Sequence, residues 1–365
     1  MILMNDLAAQ YSTYKAEIDF KVTQTLSSGW YINGSEVKEF EKEFANWLGV
    51  RGGVGVANGT EAIQLALWAA GVGPGDEVIT VSHTAVATVT AIDLMGAVPV
   101  LVDVESETYT LDPSKLKNAL SNRTKAVVLV HIYGHPGYIE EVASFCKENN
   151  LLFIEDCAQS HGAKYKSKKA GSYSDFSCFS FYPTKNLGAI GDGGFVASDR
   201  IDLLDRVRQL REYGWKSRYI SDSNGMNSRL DELQAAILRV KLKYLDNMNY
   251  KRQEIAGQYL DSLSKSKISL PKSRQNCEHV YHLFVIRDKN RDELASQLKE
   301  AGVSTAIHYP MPIHLQPGYR NKVRMPGKLP VTEELSKTVL SLPVYPELTK
   351  SQVIKIVTSV QSFRP

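Results

Sequence analysis

The sequence of 365 residues holds only four cysteines, Cys146, Cys157, Cys178 and Cys277, none in a C-x-x-C spacing. That excludes a disulfide-stapled scaffold, argues against a zinc site and points to a reducing compartment. Charge of one sign is equally scarce. Lys and Arg total 43 against 40 Asp and Glu, a formal +3, so there is no electrostatic footprint of a nucleic-acid or anionic-membrane partner. Apolar runs are broken by His, Asp or Gly well before membrane-spanning length. The start, with Asn5, Asp6, Gln10 and Lys15 close behind Met1, lacks the apolar core of a signal peptide. Neither G-x-x-x-x-G-K-[ST] nor a G-x-G-x-x-G after a strand occurs, which excludes a P-loop and leaves a nicotinamide Rossmann domain without support. What is there is ordinary globular material, 43% hydrophobic and 23% charged, long enough for about two domains. A cytoplasmic protein is expected.

From about residue 50 to 200, short β-rich runs alternate with helical patterns. Glu77–Val81, Val98–Val102, Ala126–His131 and Leu151–Glu155 are continuous apolar runs, as strands covered on both faces are. Between them, Thr60–Ala70, Val86–Met95, Pro113–Leu120 and Ile139–Asn149 predict helices. This alternation predicts an α/β domain with a mainly parallel sheet, its ligand sites at the carboxyl ends of the strands. After residue 228 the texture changes. Leu230, Leu233, Ile237, Val240, Tyr244 and Met248 form the stripe of one long amphipathic helix, which, or a successor, runs on to about residue 264. A strand at His282–Ile286, a helix at Arg291–Ala301, a Pro-rich stretch from Tyr309 to Pro330 and a last helix at Ser351–Ser362 predict a smaller α+β domain. The expected division is 1–245, with an amino-terminal arm, and 246–365.

Three motifs carry chemistry. In the first, Val56–Ala62 (VANGTEA) closes a strand and opens a helix. There Gly59 permits a tight turn, Thr60 can cap and Glu61 suits the positive end of the helix dipole. Free N–H groups at such a start form a phosphate site, although many helices begin this way for capping alone. In the second, Glu155–Gly162 (EDCAQSHG) follows the run LLFI, putting Asp156 at the mouth of the cleft. There it can hold a cation or a protonated ring nitrogen, or simply cap a helix. In the third, Phe179–Asn186 (FSFYPTKN) precedes Gly188, Gly191, Gly193 and Gly194. Lys185 lies there in a sheltered setting where an ε-amine can lose its proton and attack a carbonyl. An acid for a pyridinium nitrogen, a lysine for a Schiff base and an upstream phosphate site are the groups that pyridoxal phosphate (PLP) requires.

With these motifs the chain resembles the DegT/DnrJ/EryC1/StrS family of nucleotide-sugar aminotransferases, which share the type I PLP-dependent transferase fold of aspartate aminotransferase. The likeness spans nearly the whole chain. It runs from Ser28–Gly34 (SGWYING) through Ala57–Thr60, Gly75–Ile79, Val130–Gly134, EDCAQSHGA and SFYPTKNLG to Gly225–Glu232 (GMNSRLDE). The resemblance implies that Lys185 is the Schiff-base lysine and proton shuttle and that Asp156 is the partner of the pyridine nitrogen. It places Gln159 beside the cofactor's phenolic oxygen. Gly59, Thr60 and Ser180 match the phosphate set, and Asn227 matches a residue given to the phosphate by the neighbouring subunit of a homodimer. Tyr31, Tyr182 and Tyr213 are candidates for sugar contacts, with core packing as the alternative. One position departs from the family: the aromatic residue that stacks on the PLP ring is replaced by Ala85, and His83 is a candidate to approach the ring instead, against local packing of that imidazole.

The segment Ile307–Pro317 (IHYPMPIHLQP) resembles the subgroup that aminates carbon 3 of dTDP-3-keto-6-deoxyhexoses. It makes His308, Tyr309 and His314 candidates for sugar or diphosphate contacts, with a structural role as the alternative. The implied reaction moves an amino group from glutamate to the keto sugar. The alternatives are a 4-aminotransferase on a dTDP- or UDP-linked keto sugar and a non-catalytic PLP-binding regulator. No metal is expected.

Overall fold

Seven strands make the central sheet of the computed structural model, which describes residues 1–364. They are β1 (Gly52–Val56), β2 (Glu77–Val81), β3 (Val98–Val102), β4 (Thr124–Val130), β5 (Leu152–Asp156), β6 (Phe176–Ser180) and β7 (Gly194–Ser198). The order across the sheet is β1-β7-β6-β5-β4-β2-β3. From β6 to β3 every pair is parallel, and only β7 runs against its neighbours. The strands are largely apolar because both faces are covered. Val127 and Leu129 pack into one core with Val100 and Val102, while Ala126, Val128 and Ile154 pack into another on the opposite face.

Helices lie on both sides: α1 (Leu7–Ser28), α2 (Ser35–Leu48), α3 (Gly59–Ala69), α4 (Val86–Leu94), α5 (Leu116–Ala119), α6 (Ile139–Glu148) and α7 (Ile201–Leu210). The helix expected over Pro113–Leu120 is only a 3₁₀ turn running into the single turn of α5. Helix α1 has no clear apolar signal, because its buried positions are Gln10, Tyr14, Ile18 and Thr25, two of them polar. Gln10 is buried because it accepts a hydrogen bond from the buried ammonium of Lys241 at 2.8 Å. Strands β6 and β7 and helix α2 enclose an aromatic cluster, with Phe44 edge-on to Phe195 at 4.9 Å and to Phe179 at 5.1 Å.

The expected single long helix is two: α8 (Glu232–Leu242) and α9 (Leu245–Leu263). Tyr244, at φ −107°, leaves the helical path, and its ring stacks on Tyr14 of α1 at 4.7 Å. The three- and four-residue spacing stays in phase across this tight turn, so the pattern hides the break. Buried Glu232 caps α2 from a distance, its carboxylate accepting from the N–H groups of Gly34, Glu36 and Val37 at 2.8, 2.9 and 2.8 Å.

Leu245 and Met248 remain in the core beside the sheet, whereas Ile255, Tyr259 and Leu263 of the same helix enter a second core. That core is built on the antiparallel pair β8 (Phe284–Arg287) and β9 (Val339–Leu342), with α10 (Arg291–Glu300), α11 (Pro330–Thr338) and α12 (Lys350–Gln361) nearby. The start of the chain reaches this second core: Ile2 is buried in it, and its backbone pairs with Gly302 and Ser304 at 2.7 and 2.9 Å. Among the described residues no helix is long and apolar enough to cross a membrane.

Candidate active site

A cavity of about 250 Å³ opens at the carboxyl ends of β4, β5 and β6. Asp156, the last residue of β5, and Lys185, in the turn after β6, both face it. The pleat separates Asp156 from its neighbour Glu155. Glu155 is fully buried and accepts from His131 Nε2 at 2.9 Å and from the N–H groups of Gly171 and Tyr173 at 2.8 and 3.1 Å. Burial alone would raise its pKa, but these hydrogen bonds outweigh it and hold the carboxyl below its usual range. His131 Nδ1 accepts from the Gly137 N–H at 2.9 Å, so the ring proton lies on Nε2, toward Glu155. His131, Glu155 and Cys157 converge within 4.8 Å, yet both imidazole nitrogens are already engaged by this scaffold.

Asp156 is held differently. Its Oδ2 accepts from Thr88 Oγ1 at 2.8 Å and its Oδ1 from the Ala158 N–H at 3.1 Å. A carboxylate has about four acceptor sites, so capacity remains on the cavity side. Lys185 Nζ has no hydrogen-bond partner among the described residues, and burial lowers its pKa to about 8 while the Asp156 charge pulls the other way.

The start of α3 closes another wall. Asn58, not Thr60, is the cap: its Oδ1 accepts from the Glu61 N–H at 2.9 Å, leaving the Thr60 hydroxyl without a partner among the described residues. A Cβ on Gly59 would come within 2.7 Å of the Ser180 Cβ, so only glycine allows helix start and strand end to meet here. Gly59, Thr60 and Ser180 all line the cavity. Glu61 does not, because its carboxylate turns back to the cap and accepts from Asn58 Nδ2 at 3.0 Å.

Gln159 also stands in the wall, its Oε1 accepting from the Tyr133 N–H at 2.6 Å and its Nε2 donating to Tyr309 Oη at 3.0 Å. Tyr309, partly buried, sits behind it with its hydroxyl pushed up by desolvation to about 12. Tyr182 lines the cavity and is half exposed, at 53%.

Other candidates lie elsewhere. His83 does not reach the cavity. Its Nε2 is hydrogen-bonded to Tyr133 Oη at 2.7 Å, and burial lowers its pKa to about 4, while Ala85 itself forms part of the wall. Local packing therefore claims this imidazole. His314 is spent on Ser82 Oγ at 2.8 Å, with Glu333 at 3.5 Å, and His308 on Ser341 Oγ at 2.8 Å. Neither lines the cavity, because His308 is tied to β9 and His314 to the turn after β2. Tyr31 belongs to a second, open cavity of about 770 Å³ with Trp30, Trp215, Lys216, Arg218 and Arg229. Tyr213 leans on Trp215, with ring centres 5.4 Å apart, and lines neither cavity. Asn227 is exposed and away from the inner cavity of its own chain.

Sequence reasoning missed Asn58, Thr88 and His131 as cavity residues. A signal existed for His131: it follows Val130, which pairs with Asp156 in register, so both sit at one level of the sheet.

Comparison with known proteins identifies the family and the fold. A model of the DegT/DnrJ/EryC1/StrS aminotransferase family matches residues 12–361. The dTDP-3-amino-3,4,6-trideoxy-alpha-D-glucose transaminase of Streptomyces venezuelae is 42% identical over 359 residues, 98% of this chain and 95% of that protein. The dTDP-3-amino-3,6-dideoxy-alpha-D-galactopyranose transaminase of Aneurinibacillus thermoaerophilus is 43% identical over 363 residues, 100% and 99% of the two chains. Among solved structures, S. venezuelae DesV superposes with a TM-score of 0.97 at 42% identity, covering 99% of this chain and 97% of its own. NtdA from Bacillus subtilis, with bound cofactor PMP, gives 0.89 at 31% identity, covering 96% and 81%. The fold is thus the type I PLP-dependent transferase fold. The residues fit that cofactor: a part-buried, unpartnered amine, a carboxylate with spare acceptor capacity and a helix start with a free hydroxyl enclose one cavity.

Proposed function

Because the chain belongs to the DegT/DnrJ/EryC1/StrS aminotransferase family, we propose that it transfers an amino group from glutamate to carbon 3 of a dTDP-linked 3-keto-6-deoxyhexose. It is a PLP-dependent nucleotide-sugar aminotransferase; the donor, the carbon and the nucleotide are what we infer. The observation that carries the reading is the placement of Lys185 and Asp156 on one cavity, beside the start of α3.

Pyridoxal phosphate supplies an aldehyde that captures amines and a ring that takes up the electrons left when a neighbouring carbon loses its proton. Lys185 Nζ would be the amine that holds the cofactor and the base that moves the proton. Its pKa of about 8 suits both tasks near neutral pH. Asp156, fixed by Thr88 and the Ala158 N–H, would set its negative charge against the ring nitrogen and keep it protonated. Gly59, Thr60 and Ser180 would hold the phosphate through N–H and hydroxyl donors. Gln159, oriented by Tyr133 and Tyr309, would meet the phenolic oxygen.

Asn227 is assigned to the phosphate of a second copy, so the working unit is a homodimer with shared sites. Its exposure in the single chain supports this. Tyr182, at the exposed side of the cavity, is retained as a sugar contact. Carbon 3 is supported by two relatives whose names specify 3-amino sugars on dTDP. A cytoplasmic site of action belongs to the same proposal.

The test is turnover with glutamate against dTDP-3-keto- and dTDP-4-keto-6-deoxyhexoses and a UDP-linked keto sugar, with product regiochemistry read by NMR. A 3-amino dTDP sugar is expected. Amination at carbon 4 alone, or of the UDP sugar alone, overturns the reading, and absence of any turnover by cofactor-loaded protein would favour a PLP-binding regulator.

A further inference from the structure

The ε-amine of Lys185 has no hydrogen-bond partner among the described residues, yet the residues on either side of it are tied down. The Thr184 carbonyl accepts from Asn5 Nδ2 at 3.3 Å. Asn186, 1% exposed, commits its whole amide. Its Nδ2 donates to Asn249 Oδ1 at 2.8 Å and to the Val280 carbonyl at 3.1 Å, and its Oδ1 faces His282 Nδ1 at 3.3 Å. Asn249, on α9, passes the connection on, donating to the His161 carbonyl at 2.8 Å. His161 lies in the segment that also carries Asp156 and Gln159. One buried amide thus links the lysine turn to α9, to the stretch Val280–His282 and, through Asn249, to the segment bearing the acid.

A lysine side chain is long and flexible, and its amine can be aimed only by fixing the backbone it springs from. A misplacement of about 1 Å in a reacting group costs on the order of 100-fold in rate. We propose that Asn186 is the positioning residue that aims Lys185 into the cavity, by fastening its turn to Asn249 and to Val280–His282. The inference rests on the reading of Lys185 as the catalytic amine. It deepens that reading by naming what holds the amine in place.

The electrostatic surroundings make the effect readable by pH. The charge of Asp156 acts on Lys185, and Lys185 in turn acts on His161, His282 and His308. Burial keeps the three imidazoles neutral near pH 7, with His161 lowered to about 3, His308 to about 4 and His282 well below its usual value. Desolvation and the charge of Asp156 therefore set the proton affinity of Lys185. A loosened turn would let the amine toward water and raise it.

The experiment uses cofactor-loaded Asn186→Ala, Asn186→Asp and Asn249→Ala beside Lys185→Ala. For Asn186→Ala the expected result is a fall in kcat of about 100-fold, with KM for both substrates within about twofold. The pH midpoint of the bound cofactor's visible absorbance should shift in the same variant. Asn186→Asp, which keeps the size but loses both donated bonds, should behave likewise. Asn249→Ala should lower kcat in the same direction, and the double variant should lose no more than the worse single one, because the two residues act as a unit.

An unchanged kcat and absorbance midpoint in Asn186→Ala overturns the proposal, as does strict additivity with Asn249→Ala. Should Asn186→Ala fail to fold, Asn249→Ala decides by the same readouts. If Lys185→Ala itself keeps turnover, the functional reading falls. If Lys185→Ala is dead while Asn186→Ala behaves as the parent, only the positioning role falls.

Discussion

At the ends of β5 and β6, a part-buried amine without a partner faces a cavity together with a carboxylate that has acceptor capacity to spare. In the segment Ile307–Pro317 the same kinds of polar side chain are bonded away: His308 to Ser341, Tyr309 to Gln159, His314 to Ser82 and Glu333. Both regions stood out in the sequence as candidate ligand contacts. The difference between them is whether hydrogen-bonding capacity is left facing a cavity or consumed by the fold. Glu155 and Asp156 repeat the contrast one residue apart: the first is surrounded by His131, Gly171 and Tyr173, the second opens on the cavity.

The contrast breaks most directly at Lys185. Lys185→Ala is expected to leave no measurable turnover and no borohydride-trapped cofactor; retained activity would move the chemistry elsewhere. Asp156→Asn keeps the shape and removes the charge, and kcat should drop by at least about 100-fold, from loss of a near charge pair in a buried site. Steady-state kinetics of the loaded variant checks this.

The buried imidazoles offer a test by pH. His83 and His308 are held at about 4 and His161 at about 3, against 6.5 unfolded. Between pH 6.5 and 4 the unfolded chain binds protons that the folded one refuses, so stability is full above that window and lost as pH falls through it. The slope is about 1.4 kcal/mol per pH unit for each such histidine. Melting temperatures measured across that range should fall steeply; a flat profile would mean that these rings are open to water.

His314→Ala sharpens the other side of the contrast. It leaves the Ser82 hydroxyl without its imidazole partner, so stability should fall by about 1–3 kcal/mol while kcat stays within about twofold. A lost kcat with an unchanged melting temperature would return this segment to the active site. The smallest effect on chemistry is expected from His83→Ala, where cofactor affinity and absorbance should be those of the parent. A weakened cofactor would place that ring against it after all.

Much of the sheet was legible because continuous apolar runs can be buried on both faces only as inner strands, and β2 to β5 lie within two residues of those runs. Helix α1 was not, since two of its four buried positions are polar and are explained only by partners far along the chain, such as Lys241. The turn at Tyr244 was masked because spacing records which side faces the core, not whether the backbone bonds continue. Thr88 escaped notice as a single polar residue on a helix, and Asn58 as the cap before α3.

The order of elements, the family and the positions of the acid and the lysine are properties of the sequence alone, because they rest on local patterns that any fold must respect. Which polar groups are left free is not local. By sequence both His83 and Lys185 could have faced the cavity; the Tyr133 hydroxyl, from the turn after β4, holds His83 away from it, while the Lys185 amine is left without a partner. Hydrogen bonds between distant segments consume some side chains and leave others available, and only the tertiary structure determines which.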